Sequence, residues 1–172
     1  MLLNGIPTAW SIVELLPHPG IYSGDDPEQV LTRYKQAGAD ALVFRGGPWP
    51  LKWYSASSAL GLAIVASTFL ECDPGAIYTY TTASFRQAAA AHLTDLISLT
   101  RPYTSVVGYA LGRRLHSCAP VLLKDAAAQL LNELFNQAAS EDESRLLFLP
   151  GDLDQQFEIG RASCRERVCY VV

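Results

Sequence analysis

Five short apolar runs, separated by segments with helical spacing, constrain this fold more than any other feature of the sequence. The runs are residues 10–16 (WSIVELL), 39–44 (ADALVF), 62–69 (LAIVASTF), 105–111 (SVVGYAL) and 145–151 (RLLFLPG). Their length and β-branched content read as strands, and the near-continuous apolar character of 39–44 is that of a strand covered on both faces. Between them lie four predicted helices. Residues 25–38 carry Asp26 as N-cap, Pro27 at the first helical position and Gln29 in a capping-box pattern, with Val30, Tyr34 and Ala37 as the inner stripe and Gly38 as the stop. Residues 51–61 end at Gly61. Residues 84–100 place Phe85, Ala89, Leu93, Leu96 and Thr100 on one face, and residues 120–139 do the same with Leu123, Ala127, Leu130, Leu134 and Ala138. Strands alternating with helices in this way imply an α/β fold with a parallel sheet. Two architectures share that pattern, an open doubly wound sheet and a (β/α) barrel. No glycine-rich nucleotide loop follows the first strand, which disfavours the nucleotide-binding open sheets. In both architectures a site is expected at the strand C-termini.

Composition narrows the function classes. The 172 residues are 49% apolar and 17% charged, enough for a packed core, and the net charge of −4 argues against a nucleic-acid binder. No run of apolar residues has the length of a membrane span, and the first twenty residues lack the basic start and small-residue cleavage site of a signal peptide. The four cysteines, Cys72, Cys118, Cys164 and Cys169, form no C-x-x-C pair and have no histidine at zinc-ligand spacing. No metal and no cofactor is therefore expected, and Cys72 and Cys118 read as small apolar residues.

The last fourteen residues, 159–172 (IGRASCRERVCYVV), fit no helix or strand period and resemble the in-frame translation of a sequencing adapter. They are read as an artefactual tail and excluded from functional argument. Removing their three arginines and one glutamate from thirteen basic and seventeen acidic residues leaves a charge near −6 on residues 1–158.

Three segments resemble one family. LLNGIP before the first strand is similar to the F-x-L-N-G-K-P entry of the catalytic barrel of glycoside hydrolase family 2, the β-galactosidases and β-glucuronidases. DALVFRGGPWPLKWYSASSALGLAIVAS resembles that family's N-A-V-R-x-S-H-Y-P segment and the helix after it, with Asp40, Ala41, Pro48, Trp53, Tyr54, Leu60, Gly61 and Leu62 in register. RPYTSVVGYALGRRL resembles R-N-H-P-S-V-x-x-W-S-L-G-N-E through Arg101, Pro102, Ser105, Val106, Leu111 and Gly112. The resemblance covers residues 2–150. It implies a partial (β/α)8 TIM barrel over residues 1–158, about five βα units, cut after its fifth strand and belonging with other domains of a longer chain.

The resemblance also implies where the chemistry belongs. The family's general acid/base is the glutamate of N-E, one of two carboxyl groups that a retaining glycosidase holds about 5 Å apart. Here Arg113 stands at the asparagine position and Arg114 at the glutamate position. A guanidinium stays protonated at any working pH and transfers no proton. Val43 takes the place of a family arginine, Gly46 that of a histidine, and Ala66 and Ser67 that of an acidic pair. The expectation is a barrel domain that has lost its acid/base residue and serves as a scaffold or carbohydrate-binding domain, with no catalytic residue at the family position. Arg113 and Arg114 are the candidate binding residues, either paired with loop carboxylates such as Glu71 or Asp73 or acting as an anion clamp for an acidic glycan. Trp49, in the loop after the second strand, is the candidate sugar-stacking residue, with Tyr78 and Tyr80 as weaker ones; Trp53 matches a helix-face aromatic and reads as core. Two alternatives stand beside this: an active β-glycosidase using relocated carboxylates among Glu14, Glu71 and Asp73, or an unrelated α/β anion-binding module.

Overall fold

The computed structural model describes residues 2–3, 6–7, 10–71, 77–115 and 119–149. Strands β1 (Leu2–Leu3) and β2 (Ile6–Pro7) form a small antiparallel pair. The main sheet contains β3 (Ile12–Leu15), β4 (Ala41–Phe44), β5 (Ala63–Ser67), β6 (Val106–Ala110) and β7 (Leu146–Phe148), hydrogen-bonded in that order. Each strand runs parallel to the one before it. This order decides between the two architectures. A doubly wound sheet reverses its strand order at a switch point, whereas here every strand lies beside its sequence neighbour, as in the arc of a barrel. The fold is α/β, a partial (β/α) barrel.

The helices are α1 (Pro19–Ser23), α2 (Pro27–Gln36), α3 (Leu51–Leu60), α4 (Ala83–Thr100) and α5 (Lys124–Glu141), with 3-10 turns at Ile77–Thr81 and Val121–Leu123. Asp26 caps α2 as expected, accepting from the Glu28 N–H at 3.1 Å. Gln29 does not close a capping box; its Oε1 instead accepts from Arg33 one turn on. The buried stripe of α2 centres on Pro27 and Leu31, with Val30 and Tyr34 partly buried and Ala37 exposed. Gly61 ends α3 in the left-handed conformation, φ 67°, which glycine adopts without steric cost. α4 and α5 bury Ala89, Leu93, Leu96 and Thr100, and Ala127, Leu130, Leu134 and Ala138, as predicted, together with Ile97, Leu131 and Phe135; the predicted Phe85 and Leu123 are only partly buried, and Leu123 belongs to the 3-10 turn ahead of α5.

Alternation along the strands builds two apolar layers. Leu42, Phe44, Ile64, Ala66, Tyr109, Leu111, Leu147 and Leu149 join the large core under the helices. Val43, Val65, Ala110 and Phe148 pack together on the opposite, concave face, with Ile12, Val107 and Leu146 against them. Strands covered on both sides need apolar residues at every position, which is why the sequence shows runs rather than a period of two.

Below the sheet, Asp142 follows α5 and is 1% exposed. Burial alone raises the pKa of its carboxyl. The hydrogen bonds from the Ser144 Oγ (2.6 Å) and N–H (3.0 Å) and from the Tyr109 hydroxyl (3.1 Å), aided by Arg145, outweigh it and hold the group below its ordinary 3.8. A carboxyl depressed by folding stabilises the native state above its unfolded pKa and loses that contribution as pH falls through the folded value. Stability therefore declines below about pH 4 in part through Asp142. Asp142→Asn should remove this component, and unfolding midpoints measured from pH 5 to pH 2 should then fall less steeply. An unchanged slope would show that Asp142 does not contribute.

Candidate functional site

The concave face determines which side chains reach the C-terminal mouth of the arc. Leu15 and Val13 pack on the helix side, so Glu14 projects to the concave side, in register with Val43 of β4. Two residues past Val43, Arg45 continues the same alternation. It is 9% exposed, and its guanidinium reaches both Glu14, at 3.6 Å, and Glu71. β5 and β6 run on side by side past the regular sheet. The Arg113 N–H donates to the Leu70 carbonyl at 2.9 Å, and Glu71 and Arg113 form an isolated parallel bridge. This brings the Arg113 side chain to Glu14, Nη2 to Oε2 3.5 Å.

Among the described residues, the ion pairs at the mouth link Glu71, Arg45, Glu14 and Arg113 in alternating charge. The two carboxylates and Arg113 are each about two-fifths exposed, while Arg45 lies beneath them. Its Nε–H is buried without a hydrogen-bond partner, so part of its donor capacity is unused. The surrounding backbone is pinned. Thr68, 1% exposed, donates its hydroxyl to the Leu111 carbonyl at 2.9 Å, and the Tyr80 hydroxyl donates to the Glu71 carbonyl at 2.7 Å. Arg86 joins the same loop to α5, donating to the Tyr80 carbonyl and pairing with Glu133 at 2.6 Å.

Of the candidate binding residues, Arg113 enters this network. Arg114 is exposed and takes a positive φ of 56°, uncommon for a residue with a Cβ, at the turn where β6 ends. Trp49 lies in the core and not in the mouth. It is 2% exposed, its ring stacks on Phe44 with centroids 4.3 Å apart, and its indole N–H donates to the Arg45 carbonyl at 2.7 Å. Tyr80, 3% exposed, offers no stacking surface either, because its ring fills the same core, and Trp53, 0% exposed, is the core residue of the α3 face that its helix position implies. Tyr78 lies in the 3-10 turn Ile77–Thr81. Asp73, the four cysteines and the tail 159–172 fall outside the described residues. His92 packs edge-on against Phe69 at 4.6 Å, and burial holds its pKa below the ordinary 6.5; it is part of the packing between α4 and the loop after β5. Among the described residues no group of three His, Cys, Asp or Glu side chains could hold a metal ion, and no helix is long and apolar enough to cross a membrane.

Arg45 is the residue that sequence reasoning passed over. Aligning Val43 with the family arginine drew attention to a lost charge, yet Arg45, two positions on, faces the same way and brings a guanidinium to the mouth. The period of a strand carried past its end was the available signal.

No family model and no curated protein matches this chain. Solved structures do. A β-glucuronidase 3 from Bacteroides uniformis superposes with a TM-score of 0.68 at 19% identity, covering 85% of this chain and 19% of its own. The β-glucuronidase of Ruminococcus gnavus in complex with C6-substituted uronic isofagomine gives 0.68 at 18% identity, covering 86% of this chain and 25% of its own. A β-glucuronidase from Ruminococcus gnavus in complex with D-glucuronic acid gives 0.66 at 16%, covering 84% of this chain and 24% of its own. The chain spans about a fifth to a quarter of the length of these proteins. At such identities the likeness is one of fold: this chain is built on the barrel arc that these β-glucuronidases contain.

Proposed function

We propose that the chain is a truncated, degenerate barrel domain of the glycoside hydrolase family 2 type. In this reading it binds carbohydrate as part of a larger protein and does not cleave it. The observation that carries the reading is the charge at the end of β6: Arg113, held against Glu14, stands where the sequence resemblance calls for the residue before the acid/base glutamate. With Arg114 next to it and Arg45 below, guanidinium groups crowd a mouth that in the family handles protons. Such groups bind carboxylates well and donate protons poorly. An acidic sugar is the ligand class that suits them. That solved relatives in fold bind glucuronic acid and uronic isofagomine supports the choice of class.

A second reading, an active glycosidase with relocated carboxylates, draws on Glu14 and Glu71 both reaching the mouth. Arg45 lies against both, so each carboxylate is already engaged by a guanidinium in this arrangement. The decisive assay is turnover of a chromogenic β-glucuronide. The expected result is no rate above background together with measurable glucuronate binding, reduced about tenfold or more in Arg113→Ala/Arg114→Ala, as loss of a charge-assisted contact implies. Turnover abolished by Glu14→Gln or Glu71→Gln would establish the second reading. Binding unchanged by the double arginine variant would end the clamp.

A further inference from the structure

One oxygen of Glu14 lies between two guanidinium groups from different strand ends: its Oε2 is 3.6 Å from Arg45 Nη1 and 3.5 Å from Arg113 Nη2. Both separations exceed hydrogen-bond length, so the carboxylate is held mainly by charge. The other arm of Arg45, Nη2, is anchored to Glu71. Removing Glu14 from this position would therefore leave Arg45 held by Glu71 and release the Arg45 Nη1 and Arg113 Nη2 that now face its carboxylate. The side chains of Glu14 and Arg113 are 38% and 39% exposed, within reach of solvent and of a ligand.

We propose that Glu14 is a built-in competitor: its carboxylate occupies the position between Arg45 and Arg113 that an acidic ligand's carboxylate takes, and the ligand must displace it. The inference rests on the anion-clamp reading above and adds to it a specificity-determining residue. The physical basis is charge balance. With Glu14 present, each anion-binding guanidinium already has a counter-charge, and an incoming carboxylate meets a like charge as well as the cations. Glu14→Gln keeps the side chain's shape and one acceptor oxygen but removes the negative charge. Neutral sugars carry no charge to compete, so their binding is insensitive to the change. The half-exposed position makes the effect dependent on ionic strength.

The test is binding of D-glucuronate and of methyl β-D-glucoside to the full chain, Glu14→Gln, Glu14→Asp and Glu14→Gln/Arg113→Ala, immobilised at low density, with unfolding midpoints checked for each. Glucuronate should bind Glu14→Gln about tenfold more tightly than the unaltered chain, in line with removal of one close like charge. Glu14→Asp, which draws the carboxylate back by one methylene, should gain less. The gain should vanish in the double variant and shrink at high salt, and the glucoside should bind all forms alike. If the unaltered chain binds glucuronate through Arg113 but Glu14→Gln and Glu14→Asp bind it no better, the competitor is refuted and the clamp stands. If no form binds glucuronate, the clamp fails and the competitor with it. An equal gain for the neutral glucoside would also overturn the proposal, since charge would then not be the cause.

Discussion

Replacing Trp49 by alanine should lower the unfolding free energy by about 3–5 kcal/mol, the cost typical of deleting a large buried aromatic. The indole is 2% exposed, stacks on Phe44 with the ring planes 5° apart, and meets Trp53 edge-on at 5.3 Å. No neighbour in this cluster has room to swing into the space, because Phe44 and Trp53 are both fully buried and fixed by their own strand and helix. Trp53 is further held by its indole N–H, which donates to the Ile21 carbonyl at 3.1 Å. The substitution also removes the donor to the Arg45 carbonyl, so the backbone that carries Arg45 into the mouth loses its anchor. Trp49→Phe separates the two effects: most of the packing stays, and the lost hydrogen bond costs about 1 kcal/mol. Urea unfolding followed by far-ultraviolet circular dichroism gives both values. A loss below about 1 kcal/mol for Trp49→Ala, coupled to lost sugar binding, would return Trp49 to the role of a ligand platform.

Gly108→Ala should cost about 2–3 kcal/mol by overpacking, although it adds a single methyl group. Gly108 lies in β6 opposite Leu146 of β7. A Cβ at Gly108 would stand 2.5 Å from the Leu146 carbonyl oxygen and 2.5 Å from Phe148 Cε2. The first obstacle is backbone and cannot rotate away. The second is the ring that fills the concave face beside Val43, Val65 and Ala110. Relief requires β7 to move off β6, which breaks a parallel pair at the edge of the described sheet. Gly24→Ala is the matched control, since an added Cβ there meets nothing within 4 Å, and it should stay within about 0.5 kcal/mol. If Gly108→Ala were as mild as the control, Phe148 would not lie over β6 as described.

The two substitutions expose different limits of sequence reading. Trp49 sits in a loop, and loop aromatics are reasonable ligand contacts. Nothing local says that this loop folds back to lay the ring on Phe44; that follows from where β4 ends and α3 begins in three dimensions. Arg45 was within reach, because alternation from the inward-facing Val43 predicts its direction. Its partners were not: Glu14 and Glu71 come from different strands, and their meeting depends on the register of β3 with β4 and on the course of β5 beyond the sheet.

The strands of the main sheet, the helices α2 to α5 and most of their buried faces were legible in the sequence, because each is written in apolar runs, helical spacing and stop residues only a few positions apart; the short α1 and the β1–β2 pair carry no such signal. The sequence by itself also determined that guanidinium groups follow β6. The tertiary structure alone decided that the sheet is wound in one direction, that Trp49 belongs to the core, and that Glu14 rests between two arginines. These outcomes depend on contacts between residues far apart in the chain, and local preferences carry no information about which strand end will face which.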